Sequence, residues 1–201
     1  MPDERRYSPA AERNGPPILA ALQRLLPATG VMLEIASGTG QHAAFLSVGL
    51  PGWQWHPSDF DVGALPSIAG WCDGLANVRP PITLDVLDGN WPGVPAQADA
   101  IYCANMIHVS PWACTVALMQ GAARHLAAHG LLMTYGPYVI DGEPTAASNI
   151  AFDVSLRDRH AAWGLRHLTD VAQAADAAGL QLRERLPMPA TNQLLVWARA
   201  S

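Results

Sequence analysis

No run of Lys or Arg occurs in this chain, and no apolar run approaches the ~18 residues that a membrane-spanning helix needs. With a formal charge of −5 the chain also lacks the basic footprint of phosphate-backbone binding, so neither nucleic acid nor membrane is expected as a partner. Cysteine is scarce. Cys72, Cys103 and Cys114 share no CxxC spacing and sit in apolar segments, which argues against a disulfide framework or zinc knuckle and fits a reducing cytosol. The opening residues MPDERRYSPA are charged and polar, without the apolar stretch of a secretory signal. Internal repeats and low-complexity segments are absent too. A soluble, cytoplasmic protein is expected, and 201 residues with 50% hydrophobic and 14% charged content suit a single domain over 1–201.

What is present is an alternation. VMLEIAS (31–37), WQWHP (53–57), PITLDV (81–86), ADAIYCAN (98–105) and GLLMTYGPY (130–138) are apolar runs of strand length, separated by helix-like stretches at 40–49, 61–71 and 111–128. Strands alternating with helices predict a doubly wound α/β domain, with a mainly parallel sheet covered on both faces. A helix at 168–179 ends at a glycine, and LQLRERLPM (180–188) and NQLLVWARA (192–200) read as an antiparallel hairpin. Residues 139–164 read as a long polar, lid-like insertion. Upstream, 8–26 has a helical apolar stripe that Pro16 and Pro17 are expected to split, with Asn14 and Gly15 at the joint.

The stretch LEIASGTGQH (33–42) carries the chemistry. Gly38 and Gly40 follow a strand and open a helix, where backbone N–H groups and the positive end of the helix dipole meet a ligand. The spacing Gly38-x-Gly40-x-x-Ala43, with Asp59 and Asp61 about twenty residues on, satisfies the loose dinucleotide pattern. Glu34 discriminates against it. A carboxylate near the end of the first strand repels a pyrophosphate, whereas S-adenosylmethionine carries an ammonium and a sulfonium.

LEIASGTGQ thus resembles motif I of the class I S-adenosylmethionine-dependent methyltransferases, an acid followed by G-x-G-x-G, with Ala36 in place of the first glycine. Since Ala disfavours positive φ, the turn is expected to keep Ala36 at negative φ. The terminal hairpin agrees with that family's seven-stranded Rossmann-like sheet. In order along the chain, SPAAERN, LEIASGTGQH, PSDFD, NMIHVSPW, YGPY, SNIAFDVSLRDR, WGLRHL and MPATNQLLV resemble signatures of the methyltransferase-like protein 26 family, whose paired Asn near the C-terminus is Thr191-Asn192 here. The resemblance implies the cofactor class, with Ala36, Ser37, Gly38 and Gly40 around its methionyl part and Glu34 behind it. It also places Asp59 on the ribose, and Asp85 and Val86 on the adenine. Asp61 could cap the next helix instead, and 85–86 could be an ordinary strand-end turn.

Asn105 and His108 follow the fourth strand, at the carboxyl edge where open α/β sheets bind ligands. His108 suits a general base or a substrate orienter, or else it hydrogen-bonds the backbone at Ser110-Pro111. Asn105, His108 and Tyr138 are the catalytic candidates. Asn149, Asp153 and Arg157 fall at i, i+4, i+8 and form one helical stripe, a solvated face or part of a substrate site. Arg13 and Asn14 could cover the cofactor's carboxylate or only tie their helix down. Of seven Trp, Trp112 and Trp163 adjoin the site and could stack on a planar substrate. His125 and His129 lie at a helix end, where imidazolium suits the dipole, and no metal site is expected. The function these residues point to is methyl transfer to a small-molecule nucleophile. The alternatives are an NAD(P)-dependent oxidoreductase and a non-catalytic S-adenosylmethionine-binding module.

Overall fold

The computed structural model describes residues 4–200. Helix α1 (Pro9–Leu25) starts where Ser8 Oγ accepts from the Ala11 amide at 3.3 Å, with Pro9 at the first helical position, where a missing N–H costs nothing. The expected break at Asn14-Gly15 does not occur, and α1 runs unbroken through Pro16 and Pro17. The two prolines remove donors for the carbonyls of Glu12 and Arg13, which are exposed residues where water substitutes. Burial of Ile18 and Leu22, roughly 1.5–3 kcal/mol each, offsets the prolines. A Cβ on Gly15 would stand 3.0 Å from the Phe45 ring, so the glycine lets the helix lie close.

Strands β1 (Gly30–Ile35), β2 (Trp53–Asp59), β3 (Ile82–Thr83), β4 (Ala98–Ala104) and β5 (Leu126–Gly136) pair in parallel. Helix α2 (Gln41–Gly49) connects β1 to β2, α3 (Leu65–Cys72) lies between β2 and β3, and α4 (Trp112–His125) connects β4 to β5. Strands β8 (Leu180–Met188) and β9 (Asn192–Arg199) complete a seven-stranded sheet in the order β3-β2-β1-β4-β5-β9-β8, with β9 antiparallel to both neighbours. The hairpin falls where the sequence predicts it. Ala190 and Thr191 turn it in the left-handed region.

Side chains alternate across the sheet. Leu33, Ile35, Ile101, Cys103 and Leu132 pack on one face with α4 and helix α6 (Leu168–Ala177). Met32, Trp55, Tyr102, Met133 and Tyr135 pack on the other with α1, α2 and α3. Both faces are covered, which is why these strands read as apolar runs.

Three boundaries differ from the sequence reading. Helix α4 stops at His125, and the chain is already extended at Leu126 because that side chain is buried in the core. His125 and His129 therefore do not share a helix. Strand β3 has two residues, so Asp85 and Val86 lie in the turn beyond it. The segment 139–164 contains a 13-residue helix, α5 (Ala147–Arg159), and strands β6 (Tyr138–Val139) and β7 (Arg166–His167) bracket it as a small parallel pair. Among the described residues no helix is long and apolar enough to cross a membrane, and no three His, Cys, Asp or Glu side chains are grouped to hold a metal ion.

Candidate functional site

The carboxyl ends of β1, β2, β4 and β5 lie side by side at one edge of the sheet. After β1 the chain turns sharply through Ala36 (φ 56°), Gly38 (φ 60°) and Gly40 (φ 90°). Ala36 thus contradicts the negative φ expected of it. The turn needs a left-handed residue at that point, and a Cβ there costs about 1–2 kcal/mol. Gly40 has no such latitude, since a Cβ would lie 2.6 Å from the Ile68 Cα on α3. Ser37 donates from its amide to the Ser58 carbonyl at 2.8 Å and accepts from the Ser58 amide on Oγ at 3.2 Å. Asp59 braces the turn: Oδ2 accepts from the Gly38 amide at 2.8 Å and Oδ1 from the Asp61 amide at 2.9 Å. Asp61 caps the short 3-10 turn after it, accepting from the Gly63 amide at 2.9 Å, which is the second of the two roles open to it.

Beneath the turn, Glu34 is 2% exposed and accepts from the Trp55 indole N–H at 2.7 Å. Burial pushes its carboxyl up to about 7, against the opposing hydrogen bonds of Trp55 and Ser37 and with a further push from Asp59. His42, which the sequence reading passed over, ties α1 to the sheet. Its Nε2 lies 3.2 Å from the Ala11 carbonyl and its Nδ1 3.2 Å from the Tyr102 hydroxyl. Burial lowers this ring to about 4, so it is neutral. The carbonyl can only accept, so Nε2 carries the proton and Nδ1 accepts from Tyr102. Gln41 Oε1 accepts from the Ser8 amide at 2.5 Å, and together these bonds seat the first turn of α1 over the glycine turn.

Past β4, Asn105 is left-handed (φ 62°) and donates its amide to the Tyr135 carbonyl at 2.8 Å. His108 follows in a 3-10 turn, fully buried, with neither ring nitrogen hydrogen-bonded. The backbone bond open to it in the sequence reading is not made. Burial drives the imidazole down to about 3, with Arg166 adding to the shift. Gly136 makes room for the ring, as a Cβ there would stand 2.3 Å from Nε2. The Tyr138 ring meets His108 edge-on at 5.0 Å, but its hydroxyl donates to Thr134 Oγ1 at 3.1 Å inside the core. Tyr138 therefore packs against His108 and offers no free hydroxyl, contrary to its expected part in catalysis.

On α5, Asn149 and Asp153 face the protein, while Arg157 is exposed. Asn149 donates to the Thr191 carbonyl at 3.4 Å and accepts from the Thr191 hydroxyl at 2.9 Å. Asp153 accepts from the Leu165 amide at 2.7 Å and from Arg157 Nε at 2.8 Å. The neighbouring Gly164 amide bonds the His108 carbonyl at 3.0 Å, and Arg166 Nη2 bonds the Ser110 carbonyl at 2.8 Å. These bonds clasp the segment after α5 onto the turn after β4 and occupy all three stripe residues. Trp112 lies under the Arg166 guanidinium at 5.9 Å and, with Arg157, lines a ≈ 680 Å³ recess between α4 and α6 to which no glycine-turn residue contributes. Trp163 stacks on His160 at 5.6 Å. Asp85 accepts from the Leu87 amide at 2.9 Å in an ordinary turn, and Val86 is buried in the core.

Residues 5–199 match the family described as "Protein of unknown function (DUF938)". The chain belongs to that family. Among solved structures, this DUF938 member is similar to CalO1, a methyltransferase in calicheamicin biosynthesis in its SAH-bound form (TM-score 0.74, 21% identity, 95% of this chain and 54% of that one). It is similar as well to the mitomycin 7-O-methyltransferase MmcR (TM-score 0.81, 16% identity, 95% and 54%). A third is human N-acetylserotonin methyltransferase in complex with SAM (TM-score 0.78, 13% identity, 94% and 52%). The chain spans about half the length of these proteins. At such identities the likeness establishes the fold, the seven-stranded class I methyltransferase sheet.

Proposed function

We propose that this chain is an S-adenosylmethionine-dependent methyltransferase acting on a small-molecule nucleophile. The carrying observation is the turn after β1, left-handed at Ala36, Gly38 and Gly40, braced by the Asp59 carboxylate and seated above that of Glu34. Glu34, once ionised, opposes a pyrophosphate and favours a cationic ligand, whereas Asp59 suits a ribose in either class. The ligands of the structural neighbours and the motif resemblance to the methyltransferase-like protein 26 family support the same reading. The turn also has room, because around the Cβ direction of Gly38 the Ala36 carbonyl, 4.0 Å away, is the nearest atom.

In this reading Asn14, Glu34, Ala36, Ser37, Gly38 and Gly40 hold the methionyl end. Asp59 takes the ribose through the lone pairs its backbone bonds leave, and Asp85 and Val86 flank the adenine. When bound, S-adenosylmethionine supplies a methyl group already activated by its sulfonium. The protein is left with positioning. Asn105 and the neutral His108 orient the nucleophile; with its ring held near 3, His108 is a weak base at neutral pH and a hydrogen-bonding group instead. Helix α5, hooked at Asn149 and Asp153, covers the β4 side and limits water.

Isothermal titration tests the reading. S-adenosylmethionine and S-adenosylhomocysteine are expected to bind, and NAD(P)H is not. Binding of NAD(P)H with neither adenosyl ligand would overturn it.

A further inference from the structure

Where the segment after β5 meets the terminal hairpin, the protein holds a cavity of ≈ 330 Å³. Tyr138, Ile140, Pro144, Pro187 and Met188 give it apolar walls. At roughly 30 Å³ for a water-sized atom, it has room for on the order of ten non-hydrogen atoms. Among the described residues, none of the glycine turn lines it. On β9, Leu195 and Trp197 pack with α4 and α6, so Gln193 points to that face as well, whereas α2, which the glycine turn opens, covers the other. The cavity is therefore separate from the cofactor turn.

The lining is held in place from both sides. Asn149 on α5 and Thr191 in the hairpin turn bond each other in both directions, and Glu143 pairs with Arg185 of β8 at 2.8 Å. Ala190 and Thr191 are left-handed without being glycine, a strain that persists where contacts fix it, as the Asn149 bonds do here. Gln193 is different. Its Oε1 lines the cavity wall buried and without a hydrogen-bond partner, so the site asks a ligand for a donor. Among the described residues that line the cavity, Glu143 is the one charged group, and Arg185 neutralises it. A charged ligand would lose its hydration there and gain no free partner.

Tyr138, one wall of the cavity, is also the ring that meets His108 edge-on at 5.0 Å. In the order β1-β4-β5-β9 the cavity lies beyond β4, whose end carries Asn105, and β4 is about 5 Å from β5 at the usual strand spacing. The cavity thus adjoins the residues that orient the nucleophile. The geometry points to it as the place where the methyl acceptor binds, and to an acceptor that is compact, mainly apolar and uncharged, donating one N–H or O–H hydrogen bond to Gln193 Oε1. The binding chemistry stands on the cavity itself; naming its occupant the methyl acceptor rests on the methyltransferase reading.

The test titrates the nitrogen-15-labelled full chain with indole and 2-naphthol beside benzothiophene and 2-fluoronaphthalene, which match them in shape but have no donor, and beside charged 2-naphthoate. At least one donor probe is expected to bind tenfold or more tightly than its partner and than 2-naphthoate, with amide shifts gathered in 138–146 and 187–193. Gln193→Leu keeps the bulk without the amide. It is expected to lose the preference and to unfold at a urea concentration no lower than wild type. Saturating the wild type with S-adenosylhomocysteine is expected to leave the affinity for the probe within threefold. Four results overturn the proposal: equal binding within both pairs, shifts gathered at 36–40 instead, a Gln193→Leu variant that keeps the preference or is less stable, and displacement of the probe by S-adenosylhomocysteine. A wild type that binds the donor probe as expected but not S-adenosylhomocysteine refutes the methyltransferase reading and upholds the chemistry of the cavity.

Discussion

Replacing Glu34 by Gln should make the protein more stable above neutral pH and a poorer binder of a cationic ligand. The carboxyl titrates near 4.5 when unfolded and near 7 when folded, because burial penalises its charge. The protonated form is the one the fold prefers. Its stability is fully present below pH 4.5 and is lost as pH rises through 7. At about 1.4 kcal/mol per pH unit, the loss approaches roughly 3 kcal/mol. Glutamine keeps the volume and an acceptor for the Trp55 N–H without the charge, so the variant should escape the loss. Urea unfolding of both proteins at pH 5, 6, 7 and 8 is the assay. The stability difference should be small at pH 5, widen to pH 7 and level off above it. Taking the difference matters, since His42 and His108, held near 4 and near 3, destabilise both proteins alike as pH falls below 6.5. S-adenosylmethionine affinity at pH 8 should drop about tenfold, or about 1.4 kcal/mol, in the more stable variant. A difference in stability that is flat with pH would refute the reasoning.

Ala36→Gly should relieve a left-handed Cβ and raise stability by about 0.5 kcal/mol after the added freedom of the unfolded chain is counted; a lower melting temperature would contradict it. Gly136→Ala should destabilise by about 1–3 kcal/mol, because the new methyl meets His108 Nε2 and the backbone there has φ 154°, so His108→Ala in the same chain should relieve the clash but not the backbone strain, restoring only part of the loss in urea titrations. His42→Phe should cost about 1–3 kcal/mol by stranding the Ala11 carbonyl and Tyr102 hydroxyl, with faster amide exchange concentrated in α1.

The β1, β2, β4 and hairpin strands were legible because each joins an apolar run to turn residues, and runs buried on both faces imply a parallel sheet. The continuity of α1 was not, since prolines signal a break and the compensating contacts with α2 are tertiary. Helix α5 hid for another reason: Ile150, Phe152 and Val154 are apolar yet exposed, while the inward stripe of Asn149 and Asp153 is polar, which inverts the usual signal. In the site, the acid at Glu34 was visible, but its Trp55 partner depends on strand register. His42 gave no motif, as its two partners lie 31 and 60 residues away in sequence.

The placement of β9 has a bearing on how the protein is made. This strand, the last in sequence among the described residues, slots between β5 and β8 instead of adding to a rim. Until it arrives, the Leu132–Gly136 stretch of β5 offers an open apolar edge to any extended chain nearby. The nascent protein thus carries a sticky seam from the completion of β5 until β9 is made, and chaperone dependence should track the completion of residues 192–199.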